Sequence, residues 1–236
     1  MTRTQITDLP TLGFADIPLL MSQLTGDEKH DAAATSTLDV LWVLYDRVLD
    51  IDPSGLTDPD RDRFLLSKGH GPMAFYAILA AKGFFSPGLL ARWSEFDSPL
   101  GMHPDRTLVP GSEISSGSLG HGLPLALGLA LGLRARRRSI PRVVVLLGDA
   151  ELDEGSNHEA IALAARLGVD SLTAVVIDNA SASHGWPGGI ADRFAVEGWS
   201  TVTVDGRDHD ALYAAFTQPH QENPLAVVAR VEQKGS

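Results

Sequence analysis

The sequence predicts an α/β protein with a doubly wound, mainly parallel sheet flanked by helices. Three observations carry this expectation. Four short apolar runs read as buried strands: 142–147 (RVVVLL), 172–177 (LTAVVI), 200–204 (STVTV) and 225–231 (LAVVARV). Helical patterns over 154–167, 191–197 and 209–216 alternate with them. Strands that alternate with helices imply a parallel sheet with helices on its faces.

The upstream elements follow the same logic. Leu38, Leu41, Val43, Leu44 and Val48 recur at helical spacing, so 35–49 is expected to be a helix. Residues 64–66 read as a short strand or a strand-like entry to a loop. Pro72 sits where a first helical turn tolerates proline, which starts an apolar helix over 72–81. The stretch 119–133 is the most apolar of the chain. It is short for a membrane span and is interrupted by His121 and Pro124, so it is expected to be a buried helix, ended by the basic run 134–138. Residues 1–25 look irregular and are expected to form an arm against a neighbour. Residues 26–236 are expected to make a single domain.

Composition narrows the function classes. The chain has 236 residues, 44% of them hydrophobic, enough for a sizeable core. Thirty acidic against 19 basic residues give a net charge of −11. That argues against non-specific binding to nucleic acid or to an anionic membrane. Cysteine is absent, which rules out disulfides, thiolate catalysis and thiolate metal sites, and fits a cytoplasmic location. The first 28 residues carry Asp8, Pro10 and Asp16 within their apolar stretches and do not read as a signal peptide.

The chemistry is expected between residues 147 and 189. Asp149 follows one expected strand and Asn179 follows the next, thirty residues on. Ligands of open parallel sheets bind beyond the carboxyl ends of the strands. Two oxygen side chains there suit a hard cation such as Mg²⁺, which takes one or two protein ligands and fills its shell with phosphate oxygens. The helix that starts near Glu154 would turn its amino end to the same place, favouring an anion. Taken alone, Asp149 reads equally well as a helix cap or turn former.

Gly148-Asp149-Ala150 followed by Asn179 resembles the GDG…N motif of thiamine diphosphate enzymes, and GDAELDEGSNHEA is similar to its transketolase version. The resemblance implies a thiamine diphosphate-binding fold and spans roughly 26–234. It implies Mg²⁺ or Ca²⁺ held by Asp149, Asn179 and the carbonyl of Ser181, bridging the cofactor phosphates. Gly148, Ala150, Glu151 and Glu154 fall in the cofactor-binding motif. Glu154 is also implied at the interface between cofactor-binding subunits, and it reads as well as a first-turn helix carboxylate. Ala150 replaces a usual glycine, and is expected to tighten the diphosphate pocket or shift its backbone.

Three histidines sit in similar contexts. KHDAAATSTLDVLWVLY resembles the family's GHxGGSLSxxDILxxLY segment and places His30 at the motif histidine, although Asp31, Ala32 and Ala33 depart from it. LLSKGHGPMAFYA resembles the SxGH turn and carries His70. GMHPDRTLVPGSEISSGSLGHGL resembles the GHP…TGxLGxG stretch and carries His103. By resemblance His70 contacts the diphosphate, while His30 and His103 face substrate hydroxyls, where an imidazole can donate or accept. Gly117, Ser118 and Leu119 form the turn implied to meet the aminopyrimidine. His121 is read as a support for the pocket, and His158, His184, His209 and His220 as ordinary surface or core groups.

The family's activating glutamate belongs to a pyrimidine-binding domain with no counterpart in the motifs above. The resemblance therefore implies a split enzyme: this chain with a C-terminal transketolase-like partner carrying the pyrimidine-binding and C-terminal domains, expected as a heterotetramer. The leading activity is transfer of a two-carbon ketol unit from a ketose to an aldehyde-like acceptor. The alternatives are a subunit of a 2-oxo acid dehydrogenase-like acyl or glycolyl transfer enzyme, and a non-catalytic stabilising subunit.

Overall fold

The computed structural model describes residues 12–26, 32–136, 141–220 and 222–233. Five strands form one sheet: β1 (Arg63–Leu66), β2 (Val143–Gly148), β3 (Leu172–Asp178), β4 (Ser200–Asp205) and β5 (Leu225–Arg230). Their order is β1-β2-β3-β5-β4 and every pairing is parallel. The helices are α1 (Ile17–Ser22), α2 (Ala32–Thr35), α3 (Leu38–Val43), α4 (Pro72–Ala81), α5 (Gly122–Ala135), α6 (Gly155–Arg166), α7 (Ile190–Val196) and α8 (His209–Thr217).

The two faces of the sheet fill two separate cores. Val144 and Leu146 of β2, with Phe64, Leu66, Val175 and Val227, join the layer of α1, α3, α4 and α8. Val143, Val145 and Leu147, with Leu65, Ala174 and Val176, join α5, α6 and α7. Successive side chains of a strand point to opposite faces. A strand covered on both must therefore be apolar throughout, as RVVVLL is. Each fully buried valine or leucine here contributes about 1.5–3 kcal/mol. Strand β4 has only one neighbour and is the least buried of the five.

Four local differences from the sequence reading have physical causes. Residues 14–22 are helical rather than irregular. Pro18 sits in the first turn of α1, and Ile17, Leu20, Met21 and Leu24 close the core of this same chain. The expected helix over 35–49 is broken into α2, α3 and a π-helical turn, Leu44–Val48. At the first break the Arg207 guanidinium donates to the Thr35 carbonyl (3.2 Å), drawing that oxygen out of the helical ladder. Helix α5 begins at Gly122, because 117–120 is spent on a turn in which Gly117 and Gly120 have φ of 120° and 80°. It is also buried on one side only: Leu123, Ala126, Leu127, Ala130 and Leu133 face the core, whereas Leu125, Gly128 and Gly132 point outward. No helix among the described residues is long and apolar enough to cross a membrane.

Candidate functional site

The carboxyl ends of β1, β2 and β3 carry Ser67-Lys68-Gly69-His70, Gly148-Asp149 and Asp178-Asn179 respectively. The parallel register pairs Gly148 with Ile177, and the Asp149 amide donates to the Ile177 carbonyl (3.0 Å), so the two strand ends open side by side.

Asp149 is 1% exposed. Its carboxylate accepts from the backbone amides of Ala150 (2.8 Å), Ser181 (2.6 Å) and Ala182 (3.3 Å) and from the Ser181 hydroxyl (2.5 Å). This pulls the loop after β3 over the end of β2. Asn179 is 3% exposed, and its Oδ1 is buried without a hydrogen-bond partner. A buried carbonyl oxygen lacking a donor costs about 1–3 kcal/mol. Between Asn179 and Ser181, Ala180 is held at φ 54°, a left-handed conformation unusual for alanine. Ala150, in contrast, enters a 3₁₀ turn, Ala150–Asp153, and is not among the positive-φ residues. The backbone at Ala150 is therefore right-handed, and no left-handed conformation there calls for glycine.

The donor set suits a hard cation. It has one carboxylate and one orphaned amide oxygen, and no described group of three or more His, Asp or Glu side chains competes for a softer metal. The first turn of α6 is tied to this place, with the Asn157 amide donating to the Glu151 carbonyl (2.6 Å) and the Ser156 hydroxyl to the Gly120 carbonyl (2.6 Å). Glu154 is exposed and makes no capping bond.

Beside it lies a cavity of about 460 Å³. His70, His103, Gly117 and Leu119 line it together with Trp93 and Met102. Gly117 lies flat against the imidazole of His103: a Cβ there would come within 2.8 Å of the ring. Leu119 reaches Gly69, the neighbour of His70, at 3.4 Å from where a Cβ would be. Ser118 is exposed on the same turn. His30 lies outside the described residues. His121 is exposed at the start of α5, and the His184 amide donates to Asp153 (3.4 Å). His209 bonds Asp39 (2.9 Å) and His220 the Asn223 carbonyl (2.9 Å). His158 stacks near Trp186, where burial, with Arg193 close by, holds it below the usual imidazole range. A larger cavity of about 730 Å³ opens there, and none of the expected site residues lines it.

Glu151 occupies a place that its motif position does not reveal. It is 1% exposed and sits behind the motif. One carboxylate oxygen accepts from the Ser67 hydroxyl and the Gly120 amide (3.0 Å), the other from the Gly148 amide (3.2 Å). Burial pushes its carboxyl above the usual range, and the Ser67, Gly120 and Gly148 donors and the Lys68 ammonium pull against that. Lys68 is itself 6% exposed, its stem packed on Gly148. Ser67 is the first residue of the SxGH turn and Lys68 its variable position, but the turn does not reveal that both side chains are buried behind the site. The available signal is two polar residues placed directly after the apolar run Phe64-Leu65-Leu66.

Comparison with known proteins places the chain in a family. The family described as "Transketolase, thiamine diphosphate binding domain" matches residues 23–231. "Ferredoxin fas2" of Rhodococcoides fascians is 56% identical over 223 residues, 94% of this chain and 73% of that protein. An apulose-4-phosphate transketolase subunit of Actinobacillus succinogenes is 43% identical over 143 residues, covering 61% of this chain and 51% of that one. The 6-deoxy-6-sulfo-D-fructose transketolase subunit SqwG of a Clostridium species is 34% identical over 196 residues, 80% and 70% of the two chains. Among solved structures, a transketolase from Pichia stipitis superposes with a TM-score of 0.78 at 24% identity, over 92% of this chain and 35% of its own length. That likeness shows the fold. The match over residues 23–231 shows that this chain belongs to the transketolase thiamine diphosphate-binding domain family.

Proposed function

We propose that this chain is the diphosphate- and metal-binding subunit of a two-component, thiamine diphosphate-dependent transketolase. The enzyme transfers a two-carbon ketol unit from a ketose donor to an aldehyde-like acceptor, in the cytoplasm. The observation that carries this reading is the buried, unpartnered Oδ1 of Asn179 beside the carboxylate of Asp149: an oxygen pair built at a cost and suited to a hard cation.

Asp149, Asn179 and the Ser181 carbonyl would hold Mg²⁺ or Ca²⁺, with diphosphate oxygens filling the shell. When bound, thiamine diphosphate supplies the carbon nucleophile that accepts the ketol unit. The chain's own residues bind and orient. His70 would donate to the diphosphate, and the backbone of Gly148 and Ala150 would help to hold it. Gly117, Ser118 and Leu119 wall the ring end. His103, with His30, holds substrate hydroxyls and moves protons to and from them, a task an imidazole performs near neutral pH.

Several relatives are themselves named as transketolase subunits, which supports a partner chain here. The chain spans about half of one such relative and a third of the Pichia stipitis transketolase, so the partner would supply the remaining domains, with Glu154 at the joint, in a heterotetramer. The test is reconstitution with a candidate pyrimidine-binding chain. Ketose-dependent, Mg²⁺-dependent ketol transfer by the pair, with negligible transfer by this chain alone, is expected. Robust turnover by the isolated chain overturns the split arrangement. Acylation of a carrier instead of ketose consumption overturns the ketol assignment.

A further inference from the structure

We propose that Glu151 is a positioning residue: its one buried carboxylate holds the three cofactor-facing turns of the site in register. The proposal rests on the functional reading above for what those turns face, and on hydrogen bonds alone for the tie itself.

The three turns come from distant parts of the chain. Ser67 stands three residues before His70. Gly120 directly follows Leu119 and stands three residues after Gly117. Gly148 directly precedes Asp149. Each sends a donor to Glu151: the Ser67 hydroxyl and the Gly120 amide to one oxygen, the Gly148 amide to the other. The joint extends one bond further, because the Ser67 hydroxyl oxygen accepts from the Gly122 amide (3.0 Å). The Glu151 carbonyl accepts from Asn157, which adds the first turn of α6.

The chemistry requires a carboxylate. It is acceptor-only, with sites for about four donors, and it meets three. A glutamine keeps one acceptor oxygen and turns the other into an NH₂ group. Oriented to satisfy Ser67 and Gly120, it would point that NH₂ at the Gly148 N–H, a donor against a donor. An alanine satisfies none of the three. Packing leaves the turns little freedom to compensate: a Cβ on Gly122 would overlap Ser67 at 2.2 Å, and one on Gly120 would overlap Glu154 at 2.6 Å. The turns already touch, so a polar bond lost between them is not replaced by closer packing.

The test compares wild type, Glu151→Gln, Glu151→Ala and Ser67→Ala by amide hydrogen exchange on the cation-free chain. It is followed by calorimetric titration with Mg²⁺ and thiamine diphosphate. Faster exchange in all three segments 67–71, 117–122 and 148–152 is expected for Glu151→Ala, with β4 and α8 unchanged. For Glu151→Gln the increase should be confined to 148–152, and for Ser67→Ala to 67–71 and 117–122. Ser67→Ala keeps the test alive if Glu151→Ala does not fold. Weakening of cofactor binding by roughly tenfold or more in Glu151→Ala, with partial rescue in Glu151→Gln, separates positioning from a merely structural role. Exchange that rises only around 148–152 in Glu151→Ala, or cofactor affinity within twofold of wild type, overturns the proposal. If wild type fails to bind the Mg²⁺ cofactor even with a partner, the functional reading falls, while the exchange pattern still decides the tie.

Discussion

Replacing Asn179 with alanine separates a residue kept for a ligand from one kept for the fold. Its amide is 3% exposed and its Oδ1 has no donor. That oxygen carries a desolvation cost of about 1–3 kcal/mol in the cation-free chain. Truncation removes the cost. It opens a cavity of a few tens of Å³, about 0.6 kcal/mol at the usual slope. The two terms oppose each other, so Asn179→Ala should leave stability within about 1 kcal/mol of wild type or raise it slightly. A buried asparagine whose oxygen is engaged in the fold would instead cost about 1–3 kcal/mol. The assay is urea unfolding followed by far-ultraviolet circular dichroism, without divalent cation. Titration with Mg²⁺ and thiamine diphosphate on the same preparation should then show affinity weakened by at least 10–100-fold, the loss usual even for groups one shell away from a metal. A stability loss above about 2 kcal/mol, or unchanged cation-dependent affinity, would refute the argument.

Asp149→Asn should behave differently, because the Asp149 carboxylate is already satisfied by Ala150, Ser181 and Ala182. One oxygen becomes a donor facing donors, and unfolding in the absence of cation should report a loss of about 2–3 kcal/mol. Gly117→Ala forces a Cβ to 2.8 Å from the His103 ring at φ 120°. It should lower the melting temperature by several degrees, at about 2–4 °C per kcal/mol, and raise the ketose KM of the reconstituted pair through His103. Ala180 is exposed and left-handed, so Ala180→Val should destabilise by about 1–2 kcal/mol while Ala180→Gly should stabilise by up to about 1 kcal/mol, the strain relieved less the chain entropy that glycine adds; equal effects would exclude backbone strain as the cause. Glu232 pairs with Arg207 (2.7 Å), and that bond holds its carboxyl below the usual range. A depressed carboxyl stabilises above its unfolded value and loses that contribution as pH falls through the folded one. Glu232→Gln should therefore cost at most about 0.5 kcal/mol at pH 7 for so exposed a pair, and nothing well below pH ~4. A cost that persists in acid would contradict the assignment.

The parallel sheet was legible because its strands are buried on both faces and so announce themselves as unbroken apolar runs; Val143 to Leu147 could scarcely be anything else. The strand-end pair Asp149 and Asn179 was legible for the same reason, since strand ends locate the crevice. What sequence obscured were effects that depend on a distant partner. The break after Thr35 is made by Arg207, more than 170 residues away. The start of the chain looked irregular, yet Pro18 occupies a first helical turn and Asp16 accepts the Gly13 amide (2.8 Å). Glu151 read as a motif neighbour of the cofactor, and only the fold shows three separate turns converging on it.

The left-handed backbone at the strand ends lies not at Ala150, where the GDG motif has glycine, but in the loop after β3. A glycine in a motif marks either a left-handed backbone or a close approach, and sequence does not say which. At Ala150 the backbone is right-handed, so no conformational reason for glycine remains and only proximity to a diphosphate could supply one. The left-handed residue is Ala180, whose φ of 54° lifts Ser181 so that its amide and hydroxyl both reach Asp149. An alanine held there costs about 1–2 kcal/mol that a glycine would not, yet it restricts the loop before any cation arrives. Strain of this kind persists where the surroundings fix it. Here they do: Asp149 draws in the residues after Ala180, and Asn179 is buried before it. The loop that carries two of the three proposed cation ligands is thus set by its own hydrogen bonds to the third.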